Sequence, residues 1–217
     1  MILIPVKNLS RAKQRLASVL DQKTRTELAQ AMLTDVLEVL NGWECRPEVA
    51  LVTSDPFAVE LARQFQFDVI RDDANRSETD AIQLATKMCE EKGVESTLVI
   101  PGDVPLIEVS ELEQIAQAAP EAGSVLAPAS DGRGTNAAFR RPAGLFPLQF
   151  GNDSFMPHLA AARATGKPCI VLTLPGLALD IDNPSELRQL AQLPGKRRSQ
   201  LLARQWDLAE LPLAANE

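Results

Sequence analysis

Asp103 closes the stretch Leu98-Val-Ile-Pro-Gly-Asp, an apolar run broken by Pro101 and Gly102 that presents one carboxylate at the end of a predicted strand. Ligands of open α/β sheets bind at that end, and a hard oxygen donor there suits Mg²⁺; a Gly-Asp pair is also ordinary turn chemistry. Asp180 and Asp182 are two residues apart, so an extended backbone turns both carboxylates to one side, where they can share metal ions with Asp103. Alternatively, Asp182 or Asn183 caps the helix that Pro184 opens. The predicted first strand is followed not by Gly-x-Gly-x-x-Gly but by Lys7, Arg11, Lys13 and Arg15. Cations at a strand end can bind a triphosphate and stabilise departing pyrophosphate. The missing glycine fingerprint removes the main support for a dinucleotide-dependent dehydrogenase. An exposed basic loop is the other reading of the same run.

Two turn-rich segments add candidate anion sites. In Asp131-Gly-Arg-Gly-Thr-Asn136 the glycines let backbone N–H groups approach an anion, and Thr135 and Asn136 contribute side-chain donors. Phe150-Gly-Asn-Asp-Ser-Phe155 precedes a predicted helix running to about Arg163, so Gly151 and Ser154 can offer an anion site at its N-terminus, or Ser154 simply caps it. His158, the sole histidine, reads as packed or hydrogen-bonded rather than catalytic.

These residues need a layered scaffold. Strand-like runs at Ile2–Val6, Glu48–Thr53, Asp68–Ile70, Thr97–Ile100, Ser124–Pro128, Asn136–Arg140 and Cys169–Leu174 alternate with helical patterns, which predicts an α/β sheet with parallel crossovers. A helix over about 24–40 opens on the capping-box pattern Thr24-Arg-Thr-Glu27 and aligns Leu33, Val36, Leu37 and Leu40 on one face. Ser110-Glu-Leu-Glu113 repeats the cap signal, and Asn183-Pro184 marks another helix start. Residues 1–217 read as a single domain, ending in a helix that contains Lys196-Arg197-Arg198 and Trp206 and then a loose tail, together about 195–217.

With 45% hydrophobic and 24% charged residues the composition is globular. No apolar run reaches the roughly 20 residues that span a bilayer, and the chain shows no secretory leader pattern, so a soluble cytoplasmic protein without membrane association is expected. A net charge of −7 argues against a nucleic-acid surface. Cys45, Cys89 and Cys169 lack metal-ligand spacing and read as buried apolar fillers.

Taken in order, PVKNLSRAKQRL, PGDVPL, DGRGTNAAF, FGNDSFMPH and DIDNP resemble the guanylyltransferase family of coenzyme F-420 biosynthesis over residues 1–187. The resemblance implies a three-layer αβα nucleotidyltransferase fold, GT-A-like, with a mixed and mostly parallel sheet. It implies transfer of GMP from GTP to 2-phospho-L-lactate, phosphoenolpyruvate or 3-phospho-D-glycerate with release of pyrophosphate. It further implies Mg²⁺ on Asp103, Asp180 and Asp182, acceptor contacts from Thr135, Gly151 and Ser154, and catalytic Lys7 and Lys13 facing GTP phosphates beside Arg11 and Arg15. A downstream F-420 pathway transferase would consume the product, and a homodimer through a helix or the C-terminal end is compatible with the sequence. Two positions depart from the family pattern. Ser77-Glu78-Thr79 replaces an expected Gly-Leu-Asn, so that Thr79 or Glu78 changes contacts to GTP or the segment simply caps a helix; Asp153 replaces a glycine beside Ser154. Two alternatives stay open: another Mg²⁺-dependent nucleotidyltransferase with a different nucleotide, sugar-phosphate or molybdopterin acceptor, and a non-catalytic nucleotide-binding subunit.

Overall fold

A computed structural model describes residues 1–206 except positions 75 and 152. Strands β1 (Ile2–Pro5), β2 (Val49–Val52), β3 (Asp68–Ile70), β4 (Thr97–Val99), β5 (Gly123–Pro128), β6 (Thr135–Arg141) and β7 (Cys169–Val171) form one sheet in the order β3-β2-β1-β4-β6-β5-β7. Only β6 runs against its neighbours, pairing antiparallel with both β4 and β5. All seven strand-like runs of the sequence are strands.

The central strands are apolar throughout because both faces are covered. Ile2, Ile4, Val49, Leu51, Leu98 and Val125 pack on one face with α1 (Gln22–Gly42), α2 (Pro56–Gln64) and α4 (Val109–Ala118). Leu3, Ala50, Val52, Val99 and Leu126 pack on the other with α3 (Glu78–Glu91) and α5 (Phe155–Ala164). This strict alternation is the period of a pleated strand, and it yields three layers. A third cluster joins Leu16, Leu28 and Met32 to Leu179, Ile181, Leu187 and Leu190. It docks α7 (Pro184–Gln192) and α8 (Arg198–Ala203) onto α1, while the short α6 (Pro175–Ala178) packs through Leu177 into the first cluster. Buried Asp35 of α1 fixes α8 by accepting hydrogen bonds from the Arg198 and Ser199 amides and the Ser199 hydroxyl.

Several helix ends differ from the sequence signals. α1 begins two residues before Thr24, because the Asp21 carboxylate accepts from the Thr24 amide at 2.7 Å and captures the N-cap role. α4 starts at Val109, with the Glu108 amide donating to Glu111, so Ser110 lies inside the helix. α8 excludes Lys196, Arg197 and Trp206, and residues 207–217 of the expected tail lie outside the described residues. Asn183 and Pro184 cap and open α7 as expected. Cys89 is buried, but Cys45 is exposed and Cys169 only partly covered, so one of the three is no core filler. Among the described residues no helix is long and apolar enough to cross a membrane.

Candidate active site at the switch point of the sheet

The chain leaves β1 in one direction, through β2 and β3, and resumes on the opposite side with β4. The crevice outside the carboxyl ends of β1 and β4 is therefore the topological switch point, where open α/β sheets bind ligands. From β1, residues 9–11 and 14–16 fold as two 3-10 turns. The Leu9 amide donates to Asp55, the N-cap of α2, at 3.0 Å. Lys13 between the turns has a left-handed backbone, φ 55°, uncommon for a side chain with a Cβ. Its Nζ donates to Asp103 Oδ2 at 2.6 Å and Asp182 Oδ1 at 2.8 Å, with 7% of the side chain exposed.

Asp103 reaches this point because the turn after β4 passes directly over α1. A Cβ on Gly102 would stand 3.1 Å from Leu33 Cδ1, so only glycine fits without a shift. The Asp103 carbonyl accepts from the Ile181 amide at 3.2 Å, pinning the second acidic segment alongside. There Leu179 and Ile181 are buried and point into the third cluster. Asp180 and Asp182 consequently share the opposite side, as the spacing of two predicts. Asn183 is the N-cap of α7, and the Asp182 and Asn183 amides both donate to Glu186. The Asp182 carboxylate is thus free of capping and faces Lys13.

Burial opposes the Lys13 charge, yet Asp103 and Asp182 together raise its pKa above the ordinary lysine value. For Asp182 burial pushes upward, and Lys13 followed by Arg15 more than compensates, holding the carboxyl low. Asp180 is raised, first by burial and then by the Asp103 charge; its Oδ1 accepts from Asn136 at 3.0 Å. Glu78, half-buried at the start of α3, is pushed up to about 7 by burial and by the negative charges of Asp103 and Asp182. Asp103 Oδ1 is buried without a hydrogen-bond partner among the described residues. Among the described residues no three His, Cys, Asp or Glu side chains close into a metal cage.

Lys13, Glu78, Asp103 and Asp182 line a cavity of about 560 Å³ that also takes in Lys7, Arg11 and Arg76, whereas Asp180 is not part of its lining. Lys7 lies 3.4 Å from Asp72, and Arg15 lies 3.5 Å from Asp182. A larger cavity of about 920 Å³, bordered by Glu108, Glu111 and Lys196, contains none of the candidate catalytic, metal-binding or substrate-binding residues read from the sequence.

Thr79 does not border the switch-point cavity. Its hydroxyl accepts from the Phe150 amide at 2.9 Å, tying α3 to the loop before Gly151. Ser77, by accepting from the Asp80 amide, is the N-cap of α3, so at Ser77 the departure from the family pattern is a helix cap. In the turn 131–134 the glycines form no anion nest. The Arg133 and Gly134 amides donate to Asp131 and the Gly132 amide to Ala129. Asn136 is also consumed internally, donating to the Leu177 and Ala178 carbonyls as well as to Asp180. Thr135 and Ser154 do meet, at 3.3 Å between hydroxyls. Gly151 is exposed at φ 146°, with no described atom within 4 Å of where a Cβ would stand, yet its backbone is strained for any other residue. Asp153 points outward and pairs with the Arg133 guanidinium. Arg76 and Asp72 were missed from the sequence, although Asp72 repeats the strand-then-acid pattern two residues beyond β3.

The model of the family described as "Guanylyl transferase CofC like" matches residues 1–201. The chain belongs to this CofC-like family. A phosphoenolpyruvate guanylyltransferase of Roseiflexus castenholzii is 35% identical over 94% of this chain and 93% of its own. A 3-phospho-D-glycerate guanylyltransferase of Colwellia psychrerythraea is 31% identical over 88% and 91%. Among solved structures, a putative nucleotide-diphospho-sugar transferase from Desulfovibrio desulfuricans superposes with a TM-score of 0.76 at 16% identity, covering 94% and 93% of the two chains. That likeness establishes the fold, the layered nucleotidyltransferase architecture expected from the sequence. The CofC-like membership makes this chain a nucleotidyltransferase, and the geometry at the switch point is the candidate seat of its chemistry.

Proposed function

We propose that this protein transfers GMP from GTP to the phosphate of a three-carbon phospho-acid, namely phosphoenolpyruvate, 3-phospho-D-glycerate or 2-phospho-L-lactate, and releases pyrophosphate, in coenzyme F-420 biosynthesis. The observation that carries it is the convergence of Lys13 on Asp103 and Asp182 inside the switch-point cavity. The acceptor's phosphate carries about 1.5–2 negative charges near neutral pH and needs no general base. The barrier is the approach of one anion to the α-phosphorus of another, so charge neutralisation and in-line positioning dominate.

The residues fit Mg²⁺. Asp103, Asp180 and Asp182 are hard oxygen donors, and Asp103 has one buried oxygen with no hydrogen-bond partner among the described residues. Mg²⁺ is usually held by one or two carboxylates together with substrate phosphates rather than by an all-protein cage, which suits carboxylates not closed into one. When bound, the ion withdraws charge from the α-phosphate and the leaving pyrophosphate. Lys13, released from its two carboxylates, neutralises the triphosphate with Lys7, Arg11 and Arg15. Thr135, Gly151 and Ser154 hold the acceptor acid.

The test is pyrophosphate release from GTP with each of the three acids, coupled to the downstream transferase. Asp103→Ala and Asp182→Ala should remain folded and lose at least about a hundredfold in kcat, the scale of a removed transition-state charge contact. Folded variants with full activity would overturn the metal assignment. Failure of all three acids with GTP, alongside turnover with another nucleotide or acceptor, would overturn the substrate assignment.

A further inference from the structure

His158 is the only histidine in the chain, 1% exposed in the first turn of α5, and both ring nitrogens are committed. The Gln149 amide donates to Nε2 at 2.8 Å, so Nε2 carries no proton and Nδ1 does. Nδ1 lies 2.9 Å from Thr135 Oγ1, to which it therefore donates. Burial, and after it the Arg140 charge, pulls the imidazole pKa down to about 4, so the ring stays neutral and its tautomer fixed through the neutral range.

A hydroxyl has one proton to give and two lone pairs to fill. With His158 donating into Thr135 Oγ1, Thr135 cannot spend its proton on the ring. Ser154 Oγ stands 3.3 Å away, and their mutual bond uses only one of the two hydroxyl protons. The other must leave the pair. Were the ring the opposite tautomer, Ser154 could donate to Thr135 and Thr135 to His158, leaving no proton to offer. Gln149, held by the same ring, stands two residues before Gly151, and Thr79 fixes the Phe150 amide between them. One imidazole thus governs both the polarity of the hydroxyl pair and the loop beside it.

We propose that His158 is a positioning residue for the acceptor acid, donating from Nδ1 so that the Thr135–Ser154 pair offers a hydroxyl proton to the bound anion. The inference rests on Thr135 and Ser154 holding that acid.

Steady-state kinetics with GTP, Mg²⁺ and phosphoenolpyruvate or 3-phosphoglycerate test it through three variants. H158Q keeps an acceptor for the Gln149 amide and loses the donor to Thr135. It should raise the acceptor KM about tenfold and leave the GTP KM within about twofold, the scale of one lost hydrogen bond in a charged network. H158N places an amide N–H where Nδ1 stands and should restore most of the acceptor KM. T135V probes the acceptor site itself. If T135V leaves the acceptor KM unchanged, the acceptor assignment fails; if T135V raises it and H158Q does not, or H158N is as impaired as H158Q, the role of His158 alone is overturned. Where a variant does not fold, the wild-type protein decides. Its single histidine should show ¹⁵N resonances of a protonated Nδ1 and bare Nε2 at neutral pH, with Nδ1 shifting on addition of phosphoenolpyruvate or 3-phosphoglycerate. A protonated Nε2, or an Nδ1 indifferent to both acids, would overturn the proposal.

Discussion

Ionising Glu78 adds a third carboxylate charge to a cavity that already holds Asp103 and Asp182, and Lys7 and Lys13 offset it in part. Its pKa is about 7 in the folded protein against 4.5 ordinarily. Between those values the native chain keeps a proton that the unfolded chain has released. Glu78 therefore contributes stability that is complete below pH 4.5 and is lost as pH rises through about 7. His158 works in the opposite sense, with a folded pKa of about 4 against 6.5. Its contribution is complete above pH 6.5 and is lost as pH falls toward 4, up to about 3 kcal/mol. The two slopes oppose each other across the mildly acidic range. Asp35, Asp180 and Glu186, also raised chiefly by burial, carry the sign of Glu78. In the metal-free protein Glu78→Gln should gain about 2 kcal/mol at pH 8 and lose stability more steeply than wild type from pH 6.5 down to 4.5. Urea unfolding at pH 5, 6 and 8 measures this, and a variant profile parallel to wild type would show that Glu78 does not feel the two aspartates.

At the scale of elements, the acidic pair depends on the apolar residues interleaved with it. Leu179 and Ile181 are 3% and 0% exposed, and their burial against α1 and α7 turns Asp180 and Asp182 to the other side, Asp182 into the crevice and Asp180 onto Asn136. Ile181→Ala should destabilise the fold by about 2–5 kcal/mol, the usual cost of truncating a buried isoleucine. It should also lower kcat, although Ile181 touches no proposed substrate; undiminished activity in a destabilised but folded variant would mean that the carboxylates hold their place without this anchor. The same interleaving explains what was legible in the sequence. Asp103 and the Asp180–Asp182 pair could be read because a strand, its Pro-Gly stop and an alternating apolar pattern are local signals. The partners were not local. Lys13 meets Asp182 across 169 positions and His158 meets Thr135 across 23, and no local spacing encodes such a meeting. Asn136 shows the cost: its donors suited an anion equally well, and only the fold turns them onto α6 carbonyls and Asp180. Helix starts misread for a related reason, since Thr24-x-x-Glu27 looks the same whether or not Asp21 captures the cap first.

The molecule as a whole carries 29 acidic and 22 basic residues, so its net field opposes a nucleoside triphosphate, and the proposed binding of GTP would rely on the cations concentrated between positions 7 and 15. The site is assembled from segments between Lys7 and Asp182, so the unfolded chain cannot reproduce it, and any ligand that binds it must stabilise the fold. Mg²⁺ and GTP at about a hundred times their dissociation constant should contribute about 2.7 kcal/mol, a rise in Tm of about 5–10 °C for a chain of this size. Lys13→Met separates the two terms. Without the ammonium, Asp103 and Asp182 lose the cation they share and only the exposed Arg15 still pairs with Asp182, so the ligand-free variant should melt below wild type, as broken buried ion pairs do. Mg²⁺ alone then has two freed carboxylates to engage and should raise the variant's Tm by more than it raises the wild type's. Equal shifts would mean that Lys13 and the cation do not compete for the same oxygens, and that the metal, if bound, sits elsewhere in the crevice.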